Sequence, residues 1–211
     1  WWAEKCFEAG FRKHPAYYEL NEYESLNSDG RRILIPLEKI REPVLDTYPI
    51  SALAEERSLH MDMLRETGRR SDGHVFHYHF ASNYVRPGDV VLDAACGLGY
   101  GSHVLLSNSR AQKVIGVDLS PYAVDYASSM YGSKNIKFFK GHAEKLTFLD
   151  DSSVDLICSF ETLEHVKDPK ALLHEFDRVL KPTGRLIVSV PNLWVDETGQ
   201  DPNPWHFHVY D

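Results

Sequence analysis

From Val85 onward, short apolar runs alternate with segments that have the hydrophobic pattern of helices. Apolar runs of roughly four to eight residues are typical of strands that are buried on both faces. Strands that alternate with helices in this order form a mostly parallel sheet with helices on both of its faces. The sequence therefore predicts an α/β fold with a doubly wound sheet. The predicted strands are 90–94, 113–118, 136–141, 154–160 and 185–191.

Two of the predicted helices have clear start signals. Ser120 is a good N-cap, Pro121 fits the first helical position, and Gly132 is placed to end this helix. The dipeptide 168–169, Asp followed by Pro, starts a later helix that we expect to end before 182–184. In such folds ligands bind at the carboxyl ends of the strands.

The first part of the chain, residues 1–79, has a different character. It is aromatic and charged, and four prolines interrupt it between Pro15 and Pro49. Residues 52–64 have helical periodicity, and residues 31–40 are expected to form a short strand or an extended arm. We therefore divide the chain into a partly helical N-terminal region, 1–79, and an α/β domain, 80–211.

The composition argues against several classes of protein. The formal net charge of -8 disfavours nucleic-acid partners, because an acidic surface repels phosphate. No apolar run is long enough to cross a membrane, and no secretory signal pattern is apparent. The three cysteines are widely spaced without a C-x-x-C pair, which disfavours a disulfide framework or a structural zinc site. We therefore expect a cytoplasmic protein without nucleic-acid or membrane partners.

A glycine-rich turn follows the first predicted strand of the α/β domain, in the segment VVLDAACGLGYGS. The strand delivers Asp93, and Gly97 and Gly99 allow the main chain to approach a ligand because neither has a Cβ. The same pattern is compatible with a dinucleotide site or with a simple tight turn. The spacing G-x-G-x-G lacks the third glycine of the dinucleotide pattern, which argues against NAD.

A carboxylate ends the second predicted strand of this domain. Asp118, in VIGVDLS, lies about 20 residues after the glycine turn, where an acid that binds the two hydroxyls of a ribose is expected. The alternative is that Asp118 only caps the next helix. Since Ser120 already fits that capping role, we favour ribose binding.

Four motifs in this order carry a resemblance to a known family. They are LDAACGLGYG, VIGVDLS, GHAEKLTF, and FETLEHVKDP followed by RVLKPTGRLIVSVPN. From about His74 to Val190 the chain resembles class I S-adenosylmethionine (SAM) dependent methyltransferases. It is most similar to the small-molecule group related to ubiquinone and methyl-fatty-acid biosynthesis enzymes. The resemblance implies a Rossmann-like fold, SAM as cofactor, S-adenosylhomocysteine as product and a small-molecule acceptor, methylated on oxygen or nitrogen.

The resemblance also implies which residues bind SAM. Besides Asp118 they are Asp93, Ala95, Gly97, Gly99, Leu119, His142, Ala143, Glu144, Phe160 and Glu161. The family often has Gly in place of Ala95, and we expect alanine to fit with a negative φ. It often has Asp in place of His142, whose imidazole could accept a hydrogen bond from the adenine amino group. Alternatively, the backbone of Ala143 recognises adenine.

The helix before the first strand of this domain contains a further candidate. An Arg-Tyr pair of the family often contacts the methionine carboxylate of SAM there, and this chain has His77 followed by Tyr78. Tyr78 is the predicted contact, since a neutral imidazole binds a carboxylate more weakly than arginine does. The alternative is that these residues only form a surface face of the helix.

Candidate catalytic residues are histidines, because methyl transfer to a hydroxyl is helped by a general base. The candidates are His165, in FETLEHV, and His206 and His208, in PWHFHVYD. His165 could instead orient its loop. His206 and His208 could also bind substrate, or a metal together with a carboxylate. An H-x-H pair alone is a poor indicator of a metal site, so we expect no metal.

The two ends of the chain carry the remaining expectations. The N-terminal region is predicted to be a lid over the acceptor pocket. Methyltransferases of this type usually end in an antiparallel strand pair, and the roughly twenty residues after Pro191 are too few for it. Either the chain is truncated, or its C-terminal part is disordered, or a partner completes the sheet, so a homodimer is possible. Two other functions stay open: a non-catalytic SAM-binding module of a larger biosynthetic protein, and an NAD-dependent oxidoreductase.

Overall fold

A computed structural model of the chain describes residues 2–17, 36–55, 61–192 and 198–210. The α/β domain is built on a five-stranded sheet, whose strands are β3 (Val90–Ala94), β4 (Lys113–Asp118), β5 (Ile136–Lys140), β6 (Val154–Phe160) and β7 (Leu180–Ser189). Their spatial order is β5-β4-β3-β6-β7, and every neighbouring pair is parallel. The predicted Rossmann-like α/β fold is confirmed. The strand order reverses direction between β3 and β6, which is where ligands bind in open sheets of this kind.

Four helices accompany this sheet: α4 (Arg69–Ser82), α5 (Tyr100–Ser107), α6 (Pro121–Tyr131) and α7 (Pro169–Val179). The Ser120 side chain accepts a hydrogen bond from the backbone N–H of Ala123, and Asp168 caps α7 in the same way. Both predicted helix starts are therefore confirmed. These caps satisfy N–H groups that have no partner inside the helix.

Apolar side chains bury both faces of the sheet. On one face, Val75, Leu105 and Tyr126 from three helices pack together in one buried cluster. On the other face, Leu172 and Phe176 of α7 belong to a second cluster, together with residues of β3, β4 and β6. The central strands are apolar on both sides because each side meets one of these clusters.

The last strand differs from its predicted bounds. It begins at Leu180 rather than at residue 185, and its register against β6 shifts between the pairs Val154–Leu180 and Leu156–Arg185. Proline has no N–H to donate to a ladder, so the irregularity at residues 181–184 accommodates Pro182. Among the described strands, β7 is one of the two edge strands of the sheet, and β5 is the other. That a second copy of the chain completes the sheet stays a prediction.

The described part of the N-terminal region consists of short elements. They are α1 (Trp2–Glu8), β1 (Phe11–Lys13), β2 (Leu37–Lys39), α2 (Glu42–Thr47), α3 (Ile50–Glu55) and a 3-10 turn at Met63–Arg65. β1 and β2 pair antiparallel. The strand predicted within 31–40 is thus present at its C-terminal end, while 31–35 lie outside the described residues.

The helix predicted over 52–64 is wrong as a continuous element. α3 ends at Glu55, residues 56–60 lie outside the described residues, and Asp62 has an extended conformation. The Asp62 carboxylate accepts hydrogen bonds from the hydroxyls of Tyr126 and Tyr131 at 2.7 and 2.6 Å. These long-range contacts anchor the segment to α6, and they override its local helical pattern.

Within the described ranges, no helix combines the length and hydrophobicity needed to span a membrane.

Candidate functional site

A crevice of about 460 Å³ opens at the carboxyl ends of the central strands. Its size falls within the range of roughly 300–1,000 Å³ that is usual for small-molecule sites. Most of its wall comes from the residues that follow β3, β4, β5 and β6. The lining residues are Ala95, Val117, Asp118, Leu119, Gly141, His142, Ala143, Glu144, Glu161, Thr162, His165, Val166, Lys167 and Phe207.

Asp118 joins two of the loops that form the crevice. One carboxylate oxygen accepts the backbone N–H of Gly97, and the other accepts that of Ser120, both at 2.9 Å. An ionised carboxylate accepts about four hydrogen bonds, so both oxygens keep acceptor capacity toward the crevice. Ser120, not Asp118, provides the side-chain cap to Ala123. The geometry is thus compatible with ribose binding by Asp118, which stays a prediction.

The two glycines of the turn differ in their surroundings. Both have positive φ, +52° at Gly97 and +79° at Gly99. A Cβ at Gly99 would lie 2.6 Å from the Cβ of Ala127 and 2.8 Å from the ring of Phe138. A Cβ at Gly97 would meet nothing within 4 Å. Gly99 is therefore required by packing inside the protein, whereas open space beside Gly97 is what a ligand approaching the main chain would need.

Ala95 does not have the negative φ that we expected from the sequence. Its φ is +61°, in the left-handed region, and it lines the crevice. A non-glycine residue in this conformation costs roughly 1–2 kcal/mol. The backbone after β3 therefore retains a turn that suits glycine.

Asp93 and Tyr78 lie in the interior, outside the crevice wall. The Tyr78 hydroxyl and the Ser102 hydroxyl donate to the two carboxylate oxygens of Asp93, at 3.1 and 2.6 Å. Burial raises the pKa of Asp93 to about 7. The ring of Tyr78 also covers Gly101, where a Cβ would lie 2.1 Å from it. The geometry assigns both residues to holding α4 and α5 against the sheet, and direct SAM contacts by either residue stay untested.

The residues that follow β4 and β5 form one wall of the crevice. Leu119 is 57% exposed, although it is a large apolar side chain. His142 Nδ1 lies 2.8 Å from a carboxylate oxygen of Glu144. Because a carboxylate only accepts, Nδ1 donates in this pair, and in the neutral imidazole Nε2 is then an acceptor. Ala143 lines the same wall.

Phe160 is the last residue of β6 and Glu161 follows it, and of these two residues only Glu161 lines the crevice. Phe160 is 8% exposed and packs edge-on against Tyr78, with ring centroids 4.8 Å apart. Glu161 lines the crevice with a φ of +51° and accepts a hydrogen bond from the Ser189 hydroxyl at 2.7 Å. Strained backbone of this kind is often found at ligand sites.

The structure places the three candidate histidines in different positions relative to the crevice. His165 is exposed and lines the crevice, and its ring lies 4.6 Å from that of His206. His206 Nδ1 pairs with Asp201 at 2.7 Å, and its Nε2 lies 2.8 Å from the side-chain amide of Asn203. His208 packs near Tyr210 instead and is not part of the crevice wall. A base role for any of them stays a prediction.

Sequence reasoning missed Glu164. Its side chain is 1% exposed, and burial raises the pKa of its carboxyl to about 7. It lies beside His165 in a 3-10 turn, Leu163–His165, that follows β6. Its neighbours in the sequence, Leu163 and His165, are one apolar and one polar residue, and this pattern does not indicate that a carboxylate between them is buried. Its burial depends on the segment 198–210, whose Phe207 donates its backbone N–H to the Glu164 carbonyl oxygen.

Comparisons with known proteins agree with this geometry. Residues 92–188 match a family model described as a methyltransferase domain. A probable SAM-dependent methyltransferase of Mycolicibacterium smegmatis is 36% identical over 118 residues, which are 55% of this chain and 44% of that protein. A ubiquinone biosynthesis O-methyltransferase of Xanthomonas campestris is 34% identical over 119 residues, 54% of this chain and 48% of that protein.

A solved structure gives the same result. The YcgJ protein of Bacillus subtilis superposes with a TM-score of 0.51 at 30% identity, over 56% of this chain and 51% of that one. The chain thus spans about half the length of the relatives it matches. The matched segment holds the strand ends that form the crevice. Residues 92–188 are therefore similar to a methyltransferase domain, and the relatives that they match include a probable SAM-dependent methyltransferase and an O-methyltransferase.

Proposed function

We propose that this chain binds SAM in the crevice and transfers its methyl group to an oxygen or nitrogen atom of a small-molecule acceptor. The observation that carries the proposal is the position of Asp118. It is a carboxylate on the crevice wall, next to the glycine turn, with acceptor capacity left on both oxygens. A ribose presents two adjacent hydroxyl donors, which match the two oxygens of one carboxylate.

The wall beside Asp118 fits an adenine ring. The exposed side chain of Leu119 offers an apolar surface for the face of the ring. His142 is held by Glu144 so that Nε2 is an acceptor, which suits the exocyclic amino group of adenine. The alternative contact, through the backbone of Ala143, uses the same wall.

The acceptor end of the proposed site lies toward Glu161 and His165. SAM carries its own activation, since the sulfonium makes the methyl group electrophilic, and the protein mainly has to position the acceptor. His165 Nδ1 lies 3.0 Å from the carbonyl oxygen of Trp205. A carbonyl only accepts, so Nδ1 carries the proton and Nε2 is the nitrogen that could take one from an acceptor hydroxyl.

The acceptor itself is proposed only as a class. The name of the Xanthomonas relative supports oxygen as one possible target atom. Among the described residues, none before Ala95 lines the crevice, so a lid role of residues 1–79 rests on the sequence pattern.

The test is ligand binding. Thermal melting in the presence of SAM, S-adenosylhomocysteine and NAD should give an increase for the two adenosyl compounds only, because a ligand stabilises the state that it binds. Asp118→Ala should weaken S-adenosylhomocysteine binding by roughly 10- to 100-fold, since hydrogen bonds to a charged acceptor contribute about 1.5–3 kcal/mol.

Asp125→Ala is the matched control. Asp125 is an exposed acid on α6, so its loss changes the net charge equally without altering the crevice. Stabilisation by NAD alone would favour an oxidoreductase. The ribose assignment would be refuted if Asp118→Ala and the control both bound S-adenosylhomocysteine with the affinity of the unchanged chain.

A further inference from the structure

A second cluster of chemically active side chains adjoins the crevice. The potential ligand atoms of Glu164, His165 and His206 all lie within 4.8 Å of one another. Two different segments supply them, the 3-10 turn after β6 and the region 198–210. A main-chain hydrogen bond from Phe207 to the carbonyl oxygen of Glu164 fixes these segments together.

Both histidines are oriented through Nδ1. His165 donates this N–H to the Trp205 carbonyl at 3.0 Å, and His206 donates it to the Asp201 carboxylate at 2.7 Å. In each ring the remaining lone pair is therefore on Nε2. Histidines that bind metals have this arrangement, because the oxygen on the other nitrogen fixes the tautomer and makes the ligand more basic.

The third group of the cluster has an unmet requirement. Glu164 is 1% exposed, and neither of its carboxylate oxygens has a hydrogen-bond donor among the described residues. Burying a carboxyl group without a partner is costly, and such groups are usually paired or coordinate a metal. A cation between Glu164 and the two imidazoles would supply the missing partner.

We propose that Glu164, His165 and His206 bind one divalent transition-metal ion, with Zn²⁺ the best match to two imidazole nitrogens and a carboxylate oxygen. This donor set is typical of catalytic zinc sites, which keep a further position open, and two nitrogen donors disfavour Mg²⁺. Ligand atoms at about 2.1 Å from a tetrahedral ion are about 3.4 Å apart. The potential ligand atoms of the cluster lie up to 4.8 Å apart, so they have to approach one another by up to about 1.4 Å. The ion replaces the Asn203 amide at His206 Nε2.

The position of this site gives the ion a role that rests on the proposed function. His165 and Glu161 both line the crevice, where we place the acceptor in the proposed function. The open position of the ion would bind an oxygen of the acceptor, and a bound hydroxyl ionises more easily near a divalent cation. The acceptor class is then a hydroxylated small molecule, and the metal takes the place of His165 as its activator.

The experiment is a calorimetric titration of the chelator-treated chain with Zn²⁺, repeated with Mg²⁺. We expect one Zn²⁺ per chain with submicromolar affinity and much weaker binding of Mg²⁺. His165→Gln and Glu164→Gln should each weaken Zn²⁺ binding by at least about tenfold, because loss of even an outer-shell partner of a metal ligand typically costs about 10- to 100-fold in affinity. Co²⁺ in place of Zn²⁺ should give the visible absorption of a low-coordinate site.

His208→Gln is the matched control, because His208 belongs to the same segment but lies outside the cluster. It should bind Zn²⁺ like the unchanged chain. His165 is exposed, so the variant at this position tests the site even if Glu164→Gln fails to fold. Absence of stoichiometric Zn²⁺ binding, or equal losses in His165→Gln and His208→Gln, would overturn the proposal. S-Adenosylhomocysteine binding is measured separately, so failure of the metal site and failure of the cofactor site are distinguishable.

Discussion

The two glycines of the turn after β3 should respond differently to the same substitution. Gly97→Ala and Gly99→Ala both place a Cβ on a residue with positive φ, +52° and +79° respectively. Only at Gly99 does the added carbon meet other atoms. It would lie 2.6 Å from the Ala127 Cβ and 2.8 Å from two ring carbons of Phe138. The pair therefore separates backbone strain from overpacking.

The structure sets the expected magnitudes. The left-handed conformation costs an alanine roughly 1–2 kcal/mol, and both variants carry this cost. Overpacking a well-filled core adds about 1–3 kcal/mol, and it applies to Gly99→Ala alone, because Ala127 is fully buried between α6 and the sheet. We expect losses of about 1–2 kcal/mol for Gly97→Ala and about 2–5 kcal/mol for Gly99→Ala.

Urea unfolding followed by circular dichroism measures both free energies of unfolding. For a chain of this size each kcal/mol corresponds to about 2–4 °C in melting temperature, so thermal melts provide an independent check. Equal losses in the two variants would refute the assignment of Gly99 to packing. A larger loss in Gly97→Ala would show that the space beside Gly97 is filled in the folded protein.

Three further substitutions test the interior and the crevice wall. Asp93→Asn removes a carboxyl whose pKa burial raises to about 7. Below about pH 4 this carboxyl is protonated in both the folded and the unfolded state, and between about pH 4 and pH 7 its ionisation increasingly destabilises the fold of the parent. In urea unfolding, the free energy of unfolding of the variant should therefore rise by up to about 4 kcal/mol relative to that of the parent between pH 4 and pH 8. A difference that does not depend on pH contradicts this. Ala95→Gly relieves the positive φ and should raise stability by about 1 kcal/mol after the entropy cost of glycine, and a lower melting temperature would count against the strain. Asp62→Ala leaves two buried tyrosine hydroxyls without an acceptor and should cost about 2–4 kcal/mol, whereas Tyr131→Phe should cost about 1 kcal/mol; similar losses would contradict the shared acceptor.

The α/β domain could be predicted because its strands are apolar on both faces and its helices begin with strong caps. Ser120 and Asp168 act within three residues of their own position, so local sequence is enough to recognise them. The early start of β7 was not predictable, since Pro182 and Gly184 are typical of a turn and the shifted register depends on pairing with β6. The broken helix before Arg65 has a similar cause, because the partners of Asp62 lie more than sixty residues away in the sequence.

The candidate site likewise contains some residues that could be located from the sequence and others that could not. Asp118 and the glycine turn could be located because their spacing reflects one strand–turn–helix unit. Asp93 belongs to the same motif, yet its partners Tyr78 and Ser102 place it inside the protein. Glu164 could not be singled out, because its burial is created by a segment about forty residues further along the chain. Residues whose environment is made by distant segments are those that the sequence pattern leaves undetermined.

The most direct measurement is a crystal structure of the chain soaked with S-adenosylhomocysteine. We expect electron density for the nucleoside in the crevice, with both ribose hydroxyls within hydrogen-bond distance of the Asp118 carboxylate. The adenine ring should lie against Leu119, with its amino group near His142 Nε2 or the Ala143 backbone. A nucleoside bound elsewhere, or a crevice closed by protein side chains at saturating ligand, would contradict this expectation.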